Sequence, residues 1–94
     1  MKMLMLTYGG ADPGRVTALL EAAGVQGHTC FEGGTGHGLS GPRSNTRAWP
    51  GTVTVCFAVV EDAVAVSAGT KCRAAEFPPG ERLHIAVLPV DSFC

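Results

Sequence analysis

The nine residues TVTVCFAVV, Thr52 to Val60, decide the fold. β-Branched and aromatic side chains dominate them, and neither Gly nor Pro interrupts the run, so they form a strand. The two-residue period of a strand puts Val53, Val55, Phe57 and Val59 on one face. Thr52, Thr54, Cys56 and Ala58 take the other.

Toward the C-terminus, EDAVAVSAGTKCRAAEF (61–77) predicts a helix. Glu61 and Asp62 suit its start, and Val64, Ala68, Cys72 and Ala75 lie roughly on one side. Gly69 costs it about 1 kcal/mol, and Pro78 and Pro79 end it. RLHIAVLPV (82–90) is the last strand, with Pro89 near its end, where an edge tolerates a missing donor.

Toward the N-terminus, VQGHTCFE (25–32) reads as a strand. GGADPGRVTALLEAAG (9–24) reads as a helix with Asp12 as N-cap, Pro13 in the first turn and Gly24 as its stop. Its inward stripe is Val16, Leu19, Leu20 and Ala23. Met1 to Tyr8 is the first strand. The order β-α-β-β-α-β predicts an α+β, ferredoxin-like domain: a four-stranded antiparallel sheet with both helices on one face.

Between the second and third strands lies FEGGTGHGLSGPRSNTRAWPG (31–51), rich in Gly and holding two Pro. It is expected to form neither helix nor strand and to be flexible over about 33–50. Loops of that length are usually functional or disordered.

Ninety-four residues make one domain, 1–94. Apolar residues are 46% and charged ones 16% of the chain, rich in core formers for this size. Met3 and Met5 oppose Leu4, Leu6 and Tyr8, while Leu83, Ile85 and Val87 oppose Ala86 and Leu88. Sheets with one wet face alternate apolar with polar. These strands do not, and self-association through the helix-free face is the economical explanation.

Seven Lys and Arg against eight Asp and Glu leave no basic field for nucleic acid. No apolar run approaches the roughly twenty residues of a membrane span, and MKMLMLTYGG reads as a strand rather than a leader. A cytoplasmic location is expected. Cys30, Cys56, Cys72 and Cys94 form no C-x-x-C pair and are expected to be free, mostly buried thiols.

GVQGHTCFEGGTGHG (24–38) and LHIAVLPVDSF (83–93) resemble the PII signal-transduction superfamily. The resemblance rests on Gly27, Thr29 and Glu32, on the Gly-x-Gly behind them, and on Val87 to Val90. It implies a homotrimer that binds adenine nucleotides in clefts between subunits. It also implies that the long loop is a T-loop, which contacts a partner such as a membrane transporter or efflux component.

The chain departs from the classical pattern. Its only Tyr is Tyr8, Thr52 and Thr54 stand where a strand-three lysine is expected, and His84 stands where a lysine is expected just before Ile85 to Val90. The loop before that strand is short, and no basic tail precedes Cys94. A divergent PII-like protein is implied, of the kind that serves bicarbonate uptake or heavy-metal efflux.

Candidate ligand residues for AMP, ADP or ATP are Thr29, Gly36, His37, Gly38, Arg47, Arg82 and His84. Backbone amides of the glycines approach an anion closely, and arginines add charge-assisted contacts. Leu39, Arg43 and Trp49 are the candidate partner contacts, though Trp49 reads somewhat better as a hinge plug packed on the sheet. The alternative function is metal binding for homeostasis or efflux. His28 and Cys30 share a strand face, Cys56 and His37 lie near, and soft ligands suit Zn or Cu. No catalytic constellation stands out beyond Glu32 and His84 as a bare acid–base pair, so no enzyme is expected.

Overall fold

The computed structural model describes residues 1–38, 41–43 and 52–94, with the backbone alone at 36–38, 41–43 and 52. In chain order its elements are β1 (Lys2–Gly10), α1 (Gly14–Ala22), β2 (Thr29–Gly34), β3 (Gly36–Gly38), β4 (Gly41–Arg43), β5 (Thr52–Val60), α2 (Asp62–Ala74) and β6 (Arg82–Pro89). β2, β5, β1 and β6 form, in that order, a four-stranded sheet whose neighbours are all antiparallel. With α1 and α2 this is the ferredoxin-like plan.

The register confirms the two faces expected for Thr52–Val60. Leu4, Leu6 and Tyr8 of β1 lie level with Ala58, Cys56 and Thr54 of β5 and with Val87, Ile85 and Leu83 of β6. This face packs on Val16 and Leu20 of α1 and on Ala65 and Ala68 of α2. Leu4, Leu6, Tyr8, Val16 and Leu20 are completely buried. Burying a Leu or Val side chain contributes about 1.5–3 kcal/mol, so this layer is the chief source of stability.

The opposite face carries Met3 and Met5, Val55, Phe57 and Val59, Ala86 and Leu88, with Phe31 at the β2 edge. No helix covers it. Phe31 is 65% exposed there.

α1 begins at Gly14, with Pro13 and not Asp12 in the cap position. Pro13 already has helical φ and ψ, so the break in conformation falls one residue earlier. Asp12 still serves the terminus, because its Oδ1 accepts the Gly14 N–H at 3.2 Å. The other end closes as foreseen. Gly24 sits at φ +92°, its N–H donates to the Glu21 carbonyl, and the Val25 N–H donates to the Leu20 carbonyl. This is the Schellman arrangement, which favours Gly at the left-handed position.

Four expectations change. β2 starts at Thr29 rather than Val25, because the helix-ending turn directs Val25 into the core and leaves 26–28 as a link. The glycine-rich stretch is not wholly without strands. β2 runs through Gly33 and Gly34, and β3 pairs with β4 as a two-stranded hairpin. Ala75 lies beyond the end of α2 in extended conformation, and the buried residues of that helix are Ala65, Ala68 and Gly69. Finally, Cys30 and Cys56 are not free thiols but a disulfide. They are direct partners across β2 and β5, with Cα atoms 4.0 Å apart, so their side chains meet on the helix side of the sheet. Cys72 and Cys94 are free.

Candidate functional site: a cleft beside Gly27 and a charged corner

The link between α1 and β2 meets the junction of β5 with α2 at one end of the sheet. There a cleft of about 360 Å³ is lined by Gly24, Gln26, Gly27, Val59, Val60, Glu61 and Val64, with Met1 and Phe93 at its sides. Small-ligand pockets occupy about 300–1,000 Å³ and are mostly apolar with a few polar groups. The valines supply apolar walls, and Gln26, Glu61 and the backbone supply the polar contacts. A Cβ added at Gly24 or Gly27 would have no heavy atom within 4 Å, so the glycines leave the cleft open. Among the described residues its lining contains one carboxylate side chain, Glu61, and no cationic side chain, and the Met1 ammonium at its side is paired with Asp62. Such a surface suits a neutral planar base rather than a phosphate.

The cationic side chains lie elsewhere. Arg82 and His84 are exposed on β6, level with Gly9 and Thr7 of β1. Thr29 lies on β2, level with Phe57 of β5. β2 and β6 are opposite edges of the sheet, separated by β5 and β1. Three strand spacings of about 4.8 Å make that separation roughly 14 Å. A single protomer therefore does not bring Thr29 together with Arg82 and His84. For the same reason it does not pair Glu32 with His84.

The start of β6 is held by a polar cluster that sequence reading missed. The Tyr8 hydroxyl, on a completely buried residue, donates to Glu81 Oε1 at 2.6 Å and accepts from the Asp12 N–H at 3.3 Å. Arg15 Nε lies 3.5 Å from Glu81 Oε1 and 3.8 Å from Asp12 Oδ2. A Cβ at Gly10 would stand 2.3 Å from the Tyr8 oxygen, so this corner requires glycine. Burial, and next the hydrogen bond to Glu81, push the Tyr8 phenol above its ordinary value. The cluster ties the loop before β6 to the start of α1 and so fixes where Arg82 leaves the sheet. The available signal was a tyrosine among buried leucines, since a buried phenol requires a partner.

Gly36, His37, Gly38 and Arg43 belong to the β3–β4 hairpin. Leu39, Arg47 and Trp49 lie outside the described residues. His28 is exposed in the link before β2. Cys30 is bonded to Cys56, so it has no thiolate to offer a metal while the bond is intact. Among the described residues no three His, Cys, Asp or Glu are grouped to hold an ion.

No protein-family model matches the chain, and no curated protein matches it. Solved structures do. CPII, a nitrogen regulatory PII-like protein from Thiomonas intermedia K12 bound to ADP, AMP and bicarbonate, superposes with a TM-score of 0.69 at 20% identity. The match covers 97% of this chain and 88% of that one. The same protein bound to ADP, AMP and acetate gives a TM-score of 0.63. A PII-like signaling protein from Thermus thermophilus gives 0.62 at 13% identity, over 93% of this chain and 85% of that one. TM-scores above 0.6 over nearly the whole chain agree: this chain has the PII-like fold.

Proposed function

We propose that this chain is a divergent PII-like signal-transduction protein and not an enzyme. In this reading it binds an adenine nucleotide at a cleft between copies of itself. It answers the nucleotide by acting on a partner, a membrane transporter in the cytoplasmic setting expected above, through the segment between β2 and β5. The observation that carries the proposal is the split of the site's parts. A cleft lies at Gly27, at the end of the sheet where β1 starts and β5 ends, while Arg82 and His84 sit toward the opposite end of β6. One chain supplies both only if a second copy brings its β6 edge to the first copy's cleft.

The helix-free face supports assembly. Phe31, Phe57, Val55, Met5 and Leu88 make a contiguous apolar surface, which copies of the chain cover by closing around an axis. A homotrimer meets that requirement. ADP and AMP in the CPII structures support the choice of ligand, and bicarbonate there makes a small oxyanion the second compound to try.

Calorimetry with AMP, ADP and ATP tests the proposal. Gly27→Leu builds into the cleft from a Cβ that meets no other heavy atom, and should abolish binding at unchanged melting temperature. Arg82→Ala should weaken ADP by up to about fivefold, since an exposed ion pair contributes roughly 0–1 kcal/mol. Light scattering should give the mass of a trimer. A stable monomer that binds none of the three nucleotides would refute the reading.

A further inference from the structure

β2 is an edge strand with little to hold it. It pairs with β5 at Thr29, Cys30 and Phe31, then the register breaks before Gly34. Thr29, Phe31, Glu32, Gly33 and Gly34 are all exposed. Cys30 is the one β2 residue packed against the core, and it is bonded to the buried Cys56. The bond thus joins the edge strand to a strand paired on its other side along all nine residues, from Thr52 to Val60. Remove it, and within its own protomer β2 retains a few ladder hydrogen bonds and no buried side chain larger than a thiol.

The two cysteines also differ in exposure. Cys56 is 1% exposed, but Cys30 is only half-buried at the sheet's open edge. An incoming thiolate approaches that side.

We propose that the Cys30–Cys56 disulfide is a reversible redox latch that fastens β2 to the sheet. A dithiol reductant acts in two exchanges. Its first thiolate attacks Cys30 Sγ, the Sγ–Sγ bond breaks, and Cys56 leaves as a thiolate that takes up a proton. Its second thiolate attacks the mixed disulfide and releases Cys30. The reductant becomes a disulfide, and two electrons and two protons pass to the protein. A small-molecule disulfide such as oxidised glutathione reverses the sequence, leaving as two thiols.

In the reduced state β2 separates from β5, while β1, β5, β6 and both helices keep their core of Leu4, Leu6, Val16 and Leu20. Thr29 and the Gly27 link lose their fixed position beside Val59. The effect on ligand rests on the nucleotide reading above, whereas the release of the strand does not.

Hydrogen exchange on the whole chain, oxidised and after dithiothreitol, tests the latch. A thiol count on unfolded protein should rise from two, Cys72 and Cys94, to four. Exchange across 29–34 should accelerate at least tenfold on reduction, Met3–Tyr8 and Leu83–Val87 should stay protected, and oxidised glutathione should restore the first state. The double variant Cys30→Ala with Cys56→Ala should exchange fast with or without reductant. Four thiols before reduction, acceleration of every segment together, or a variant as protected as the oxidised protein would each overturn the proposal.

ADP titrated into both states separates the two claims. At least fivefold weaker binding to the reduced protein supports the link from strand to ligand, and equal affinity overturns that link. Absence of binding in both states refutes the nucleotide reading, and the exchange data still decide the latch.

Discussion

The two edges of the sheet are held in opposite ways. β6 pairs with β1 without interruption from Arg82 to Pro89. It packs Leu83 and Ile85 against the core, and its start is fastened by the Tyr8–Glu81 hydrogen bond. β2 has three regular pairs, a break, a fourth pair at Gly34, and one covalent bond. Distributed packing secures one edge and a single chemical link secures the other. An edge of the first kind responds to side-chain size. The second kind responds to redox conditions and lies where the segment between β2 and β5 leaves the sheet.

The largest expected effect is on the covalent edge. Closing a loop with a sequence separation of 26 restricts the unfolded chain by about 3.5 kcal/mol in the chain-entropy account. Cys30→Ala with Cys56→Ala should therefore lower the melting temperature by roughly 15–25 °C, at 4–8 °C per kcal/mol for a domain of this size. Calorimetric scans of the variant and the oxidised parent measure it. A shift of only a few degrees would mean that the bond contributes little to global stability.

On the other edge, Ile85→Ala removes a partly buried side chain packed on the core. It should cost about 2 kcal/mol, the low end for Ile to Ala because the site is incompletely enclosed. Urea unfolding measures the cost. The exchange rate across 29–34 relative to the core should not change. If it does, the two edges are coupled rather than separate.

A smaller effect comes from the polar corner. Tyr8→Phe should cost about 1.5 kcal/mol, because it removes a hydrogen bond to a carboxylate. The folded-state phenol titrates above its unfolded value near 10.0. The folded form then holds its proton more tightly, so its contribution is complete below the unfolded value and is lost as pH rises through the folded one. Stability of the parent should fall steeply above about pH 10, while Tyr8→Phe should lack that component. Identical alkaline profiles would show that folding does not hold the phenol's proton.

The smallest effect lies between the edges. Thr54 Oγ1 is buried on β5 without a hydrogen-bond partner among the described residues. Thr54→Val replaces it with an apolar group of the same shape and should stabilise the protein by about 1 kcal/mol. It should leave both edges as they are. Chemical denaturation reads the gain.

These contrasts also explain what was legible in the sequence. Element order and the two faces of β1, β5 and β6 were readable because a buried strand writes its burial into alternating residues. The helix-free apolar face was readable for the same reason. Cys30 and Cys56 were not readable as a bond. Their pairing depends on the register of two strands separated by a long segment, and that register is fixed by a break at Gly33 that no period announces. The late start of β2 was hidden by the same helix-ending turn that made Gly24 easy to find. Of the site, Thr29, Arg82 and His84 were correctly placed on strands. Their positions on opposite edges emerge only from strand order, and the cleft at Gly27 needs three separate segments to meet.

The central claim, that the Gly27 cleft receives the base of an adenine nucleotide, is tested most directly by nuclear magnetic resonance. ADP is titrated into ¹⁵N-labelled oxidised protein, and the amide shifts are followed residue by residue. The account predicts that the largest saturable shifts fall at Gly24 to Thr29 and at Val59 to Val64. It predicts smaller ones near Arg82, and none at either set in Gly27→Leu. Largest shifts at residues away from the cleft, or an unchanged response in Gly27→Leu, would contradict it.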